Sequence, residues 1–219
     1  PHQALGDISR KIRDLHRSWS VQSSRPQTEI PLGAPYRGLS SFDRQHADDF
    51  FGREQLVDQL WQRLSDHPLV LLTGPSGSGK SSLIHAGIEP RLTDDGNWCI
   101  ARFSPRAQPM HELAKALVTL FEPMTPRLDI PERAQTVCER LIVAPSRLSE
   151  HALGHFDATG KKLFLIVDQM EESFNLARQE APEQHRALIR ALNHMARTTV
   201  DAPYRVLVAF RSDFLTALI

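Results

Sequence analysis

Eight consecutive residues, Gly74-Pro75-Ser76-Gly77-Ser78-Gly79-Lys80-Ser81, fit the pattern G-x-x-x-x-G-K-[ST] at every fixed position. Glycines let a backbone curl until successive N–H groups point inward, which builds a nest for an anion at the start of a helix. Lys80 adds a mobile positive charge suited to the β- and γ-phosphates of a nucleotide, and the Ser81 hydroxyl is placed to ligate Mg²⁺. Ser82 follows and offers its amide to the α-phosphate side. A second candidate stands at the end of the run Leu163-Phe164-Leu165-Ile166-Val167, where Asp168 begins the stretch Asp168-Gln169-Met170-Glu171-Glu172. A carboxylate there can hold Mg²⁺ through its water shell. Gln169 cannot serve as a general base, so Glu171 and Glu172 are the candidates for activating water. Arg211 closes another apolar run, Val206-Leu207-Val208-Ala209-Phe210, and can sense a phosphate or stabilise charge during its transfer.

These residues need strands that end at one crevice. Leu69 to Thr73 reads as a short buried strand before the glycine-rich loop, with a helix after the loop to about Ile88. Trp98 to Phe103, Leu163 to Val167 and Arg205 to Phe210 read as further strands. Helical periodicity runs over Glu54 to Ser65, His111 to Phe121, Glu132 to Val143 and Glu183 to Arg197. Apolar strands alternating with helices predict an α/β fold with a mainly parallel sheet flanked by helices on both faces. Ligands of such sheets bind outside the carboxyl ends of the strands, where Asp168 and the loop would meet. Arg211 joins them if its strand lies beside the first.

Ahead of this core, Leu5, Ile8, Ile12, Leu15 and Trp19 share one helical face, opposite Arg10, Lys11, Arg13 and Arg17. Residues 1–19 therefore read as a short basic amphipathic helix, residues 20–35 as a Ser/Gln/Pro linker, and residues 36–219 as the nucleotide-binding domain. The chain starts at Pro1 and stops inside an amphipathic segment, which leads us to expect a piece of a longer polypeptide.

Composition narrows the classes. With 26 Lys+Arg against 26 Asp+Glu and 41% hydrophobic residues among 219, the chain reads as a globular protein and not as a disordered one. Net neutrality supplies no whole-chain signal for nucleic acid. The longest apolar runs are too short for a membrane span, and two cysteines build no disulfide framework, so a cytoplasmic location is expected.

The motifs together resemble the STAND class of signalling NTPases, related to AAA+ and NACHT modules, and specifically its bacterial novel STAND group. The resemblance runs from Pro35 to about Leu218. It is carried by Pro35-Tyr36-Arg37-Gly38-Leu39 with Phe42, by Phe50-Phe51-Gly52-Arg53-Glu54, by Gly74 to Ser81, by Val167 to Glu172, and by Val208 to Phe214. It implies a P-loop NTPase fold in which a sheet element is inserted between the phosphate-loop strand and the acidic strand; the Trp98 strand falls between them in sequence. The resemblance further implies Gly52 and Arg53 beside adenine and ribose, Asp168 assisting Mg²⁺, Glu171 or Glu172 governing hydrolysis, and Arg211 as a sensor. ATP or ADP with Mg²⁺ would be the cofactors. It also implies a homo-oligomer on activation, with effector and sensor domains elsewhere in the parent protein and roles in regulation, cell death or antiviral defence. Met170 and Ser173 depart from the family, replacing an aromatic and an aliphatic residue.

Other readings remain. A nucleotide-dependent interaction module that hardly turns ATP over is compatible with Gln169, and a P-loop kinase shares the loop. A GTPase would use Asp157-Ala158-Thr159-Gly160 as D-x-x-G, but no apolar strand precedes it and no N-K-x-D follows. His151 and His155 are four apart without a third ligand at recognisable spacing, and Cys99 reads as a small buried residue.

Overall fold

The computed structural model describes residues 52–214, apart from the side chains of 176–178. The amphipathic helix and linker expected over residues 1–35 lie outside the described residues. The first element is helix α1, Glu54–Asp66, whose Val57, Leu60 and Leu64 face inward at helical spacing. Strand β1, Leu69–Gly74, leads into the glycine-rich loop. The helix after the loop begins as α2, Lys80–Ser82, widens into a π-helical stretch over Leu83–Ile88, and resumes as α3, Glu89–Asp95. It therefore extends seven residues past the expected end at Ile88: Pro90 falls directly after the π-helical stretch, and the helix ends only at Gly96, in the left-handed conformation at φ 70°. Strand β2 follows at Trp98–Phe103, then helices α4, Pro109–Phe121, α5, Ile130–Val143, and α6, Arg147–Thr159. Strand β3, Lys162–Val167, delivers Asp168; a π-helical turn at Ser173–Ala177, the short α7, Arg178–Glu180, and α8, Pro182–Ala196, lead to β4, Tyr204–Arg211.

All strand pairs are parallel, in the order β1-β4-β3-β2. The strand between β1 and β3 is thus β4, and the Trp98 strand lies at the edge, contrary to the position its place in the sequence implied. Side chains account for the difference. Seven of the eight residues of β4 are buried, as a strand covered on both faces requires, whereas β2 carries the exposed Arg102.

Alternation along β3 divides the core in two. Leu163, Leu165 and Val167 join a cluster beneath α4, α5, α6 and α8, while Phe164 and Ile166 join Leu60, Ile84 and Leu92 on the other face. Gly87 in the π-helical stretch is where α1 comes closest: a Cβ there would lie 2.6 Å from Val57 Cγ2.

Several smaller expectations also meet their outcome. Asp157 to Thr159 form the end of α6, and Gly160 closes it in the left-handed conformation at φ 69°, so the D-x-x-G of the GTPase reading is a helix terminus. His155 stacks on Phe121 with centroids 4.4 Å apart. Cys99 is only half-buried and donates its thiol to the Lys162 carbonyl.

Candidate functional site

The loop between β1 and α2 turns through left-handed backbone at Gly77 (φ 73°) and Gly79 (φ 84°), conformations that a side chain would oppose. Gly74 is needed for room as well, since a Cβ there would come within 2.8 Å of Ser78 Oγ. Pro75, Ser76 and Gly77 are exposed at the crest, and Ser78 and Gly79 turn partly inward. No side chain caps the helix that starts at Lys80, so its first amides keep their capacity for an anion. Lys80 curls back over the loop, and its Nζ donates to the carbonyls of Gly74 at 2.9 Å and Pro75 at 3.0 Å. Burial pulls the Lys80 pKa below its ordinary value, while the carboxylates of Glu171 and Asp168 pull the other way. Ser82 is half-buried one residue beyond Ser81.

The Ser81 hydroxyl donates to Asp168 Oδ1 at 3.3 Å, across 87 residues of sequence. Loop and acidic strand end therefore meet, as the topology expected from sequence requires. Asp168 also accepts the Gln169 amide at 3.0 Å. Burial works to raise its pKa, but His85 and Ser81 outweigh that and hold it below the usual aspartate value.

His85 is a participant that the sequence reading missed. Its Nε2 lies 3.8 Å from Asp168 Oδ2, and its Nδ1 lies 2.9 Å from Glu89 Oε1, an oxygen that also accepts from Arg102 at 3.1 Å. Burial alone would lower the His85 pKa; the Asp168 and Glu89 carboxylates instead push it up to about 9. Ser81, His85 and Glu89 recur every four residues along one helix, a signal that could have revealed them.

On the other side, the parallel register sets Arg211 beside Gly74, and the Arg211 amide donates to Glu171 Oε2 at 3.2 Å. The Arg211 guanidinium pairs with Asp213 and lies 5.7 Å from the centre of the Phe214 ring. Its Nε is buried without a hydrogen-bond partner, and so are Glu172 Oε2 and Ser78 Oγ. Buried polar atoms left unpaired are costly and mark places where a further polar group fits.

Gln169 lines a cavity along β2 that Asp168 and His85 also line. The two departures from the family pattern have local explanations. Met170 is buried and its amide donates to Ala209, and the buried Ser173 hydroxyl pairs with His185 Nδ1 at 2.8 Å. Gly52, at φ 81°, donates its amide to Glu54 Oε1, and the exposed Arg53 occupies the N-cap position of α1 without a side-chain capping bond.

The residues present suit a nucleotide with its divalent cation. An open loop of amides, a lysine ammonium among loop carbonyls, and a hydroxyl and carboxylate 3.3 Å apart supply the donors and acceptors that a phosphate chain and Mg²⁺ require.

A protein of Polaromonas naphthalenivorans (strain CJ2) described as a nucleotide-binding protein is 32% identical over 132 residues. The match covers 57% of this chain and 42% of that protein, so the chain spans less than half the length of that relative. Among solved structures, the Aeropyrum pernix ORC2 protein in its ADPNP–ADP complexes overlays with a TM-score of 0.46 at 14% identity, over 77% of this chain and 45% of that one. A chain of the HORMA:CdnC:Trip13 complex from E. coli MS115-1 gives 0.42 at 17% identity, over 78% and 60%. The family described as Novel STAND NTPase 1 matches residues 35–219, and the chain belongs to that family of nucleotide-binding NTPases.

Proposed function

We propose that this chain binds and hydrolyses ATP with Mg²⁺ as the switch domain of a larger signalling or defence protein, coupling nucleotide state to self-assembly and to activation of an effector. The observation that carries this reading is the meeting of Lys80, Ser81, Asp168, Glu171 and Arg211 at the carboxyl ends of three adjacent strands. Loop amides from Gly74 to Ser82 hold the phosphates, and Lys80 exchanges its carbonyl partners for phosphate oxygens. Ser81 and Asp168 hold the Mg²⁺, which when bound neutralises charge on the phosphates. Glu171 and Glu172 orient water and accept its proton. Arg211 reports on the terminal phosphate, and Gly52 and Arg53 flank the base and ribose.

The test is calorimetric titration of Mg·ATP into the wild-type chain and Lys80→Ala. Removing the ammonium leaves the loop backbone in place, so affinity should fall about a hundredfold while the fold persists. Undiminished affinity in the variant would sink the assignment. Gln169, which follows Asp168 directly and cannot act as a base, favours a second reading, a module that binds ATP and scarcely hydrolyses it. Tight binding with no phosphate release even after assembly would select that reading.

A further inference from the structure

Strand β2 is paired on one side only among the described residues, with β3. The amides of Lys162 and Asp168 donate to the carbonyls of Asn97 and Phe103. Backbone groups of successive residues in a strand point to opposite sides, so Cys99, Ala101 and Phe103 serve β3. Trp98, Ile100 and Arg102 therefore turn their N–H and C=O groups outward. Such a row is a template for one more strand.

Ile100 to Phe103 form a wall of a cavity of about 670 Å³, which runs from Asp168 and His85 at the strand ends to Arg106, Glu112 and Lys115. Arg106 and Gln169 are the two non-glycine residues with positive φ among those described, at 48° and 58°. Residues with side chains enter this region at a cost in free energy, and such strain gathers at sites with a task. Both strained positions belong to this one cavity. Its charge gives the second indication. Arg102 is held by Glu89, but the exposed Arg106 and Lys115 form no ion pair among the described residues, and on the part of the lining away from Asp168 these two cations outnumber the carboxylate of Glu112.

We propose that the open edge of β2 docks an extended, acidic segment of a protein partner, which adds as a further parallel or antiparallel strand and sets its carboxylates against Arg106 and Lys115. Backbone pairing with Ile100 and Arg102 holds the segment, and the two cations select its charge. A second copy of this edge is the wrong occupant, because its own Arg102 and Arg106 would meet like charge. The cavity reaches Asp168 and His85 and so adjoins the nucleotide site, but none of the phosphate-loop residues lines it, and strand pairing along β2 does not depend on the nucleotide reading.

Fluorescence polarisation with the full 219-residue chain tests this, using a labelled eight-residue peptide that alternates glutamate with threonine or valine. Saturable binding is expected, weakened about tenfold or more when Arg106→Glu and Lys115→Glu are combined. Lys80→Ala should leave the peptide affinity unchanged, which separates failure here from failure of the nucleotide site. The same peptide methylated on alternate backbone nitrogens keeps every carboxylate but cannot pair with the edge, and it should not bind. If the double variant does not fold, the methylated peptide still decides. No saturable binding, equal binding of the methylated peptide, or equal binding of a lysine-containing counterpart would each overturn the proposal. So would a dimer of the chain that the peptide disperses, since the edge would then belong to a second copy.

Discussion

Glu171 and Glu172 are neighbours in sequence with different surroundings. Glu171 accepts the Arg211 amide and its charge acts on Lys80, whereas Glu172 keeps one buried oxygen unpaired. A general base or water-orienting carboxylate contributes factors of a hundred or more. Combined Glu171→Gln and Glu172→Gln should therefore slow ATP turnover about a hundredfold while changing Mg·ATP affinity less than about threefold. Unchanged turnover would clear both residues of a catalytic role. At this scale the sequence was most legible where chemistry restricts residue type. Only glycines tolerate the turns at residues 77 and 79, and only a carboxylate at a strand end suits the expected cation, so Gly77, Gly79 and Asp168 could be named in advance. His85 and Glu89 were hidden because their roles depend on which face of the loop helix meets Asp168. Arg102 carried no advance signal, since its partner lies on another element.

Among the elements, the loop helix depends on a close approach. Any side chain at Gly87 would meet Val57, a β-branched residue with little freedom to move aside. Gly87→Ala gains helix propensity but overpacks this contact, and the net cost should be about 1–2 kcal/mol in urea unfolding. Combining it with Val57→Ala should recover part of that loss, and strictly additive effects would disprove the contact. The strands and most helices were legible because each carries a sustained period: the continuous apolar runs of β3 and β4, and the stripe of α1. Helix α6 escaped notice because Leu148 and Ala152 alone are buried along it, too short a stripe to stand out. The π-helical stretch was equally hidden, since widening by part of a turn leaves no mark on hydrophobic periodicity.

Across the whole molecule, the two ends of the sheet have different work. At the end opposite the loop, Arg205 is buried and spends its donors entirely on carbonyls: Leu64 and Ser65 in the last turn of α1, and Val200, Ala202 and Tyr204 before and within β4. It caps a helix terminus and clasps a loop in one step. Arg205→Leu strands those acceptors and should cost about 2–4 kcal/mol of stability. Nucleotide affinity of the folded variant should match wild type; a parallel loss of affinity would show that the ends are coupled. Fold class was legible at this scale because alternating strands and helices admit few arrangements. The strand order was not, because it depends on how completely each strand is covered.

That order bears on how the protein comes into being. Among the described residues β1 pairs with β4 alone, the first strand with the last, and Gly74 acquires its neighbour Arg211 only across almost the entire fold. A ribosome releases the phosphate loop long before the strand that must flank it. Throughout that interval β1 is an apolar strand without a mate, and closing so long a loop is a slow step in folding. The nascent chain thus cannot complete the proposed nucleotide site until β4 has emerged, and until then the apolar groups of its first strand stay uncovered on that side.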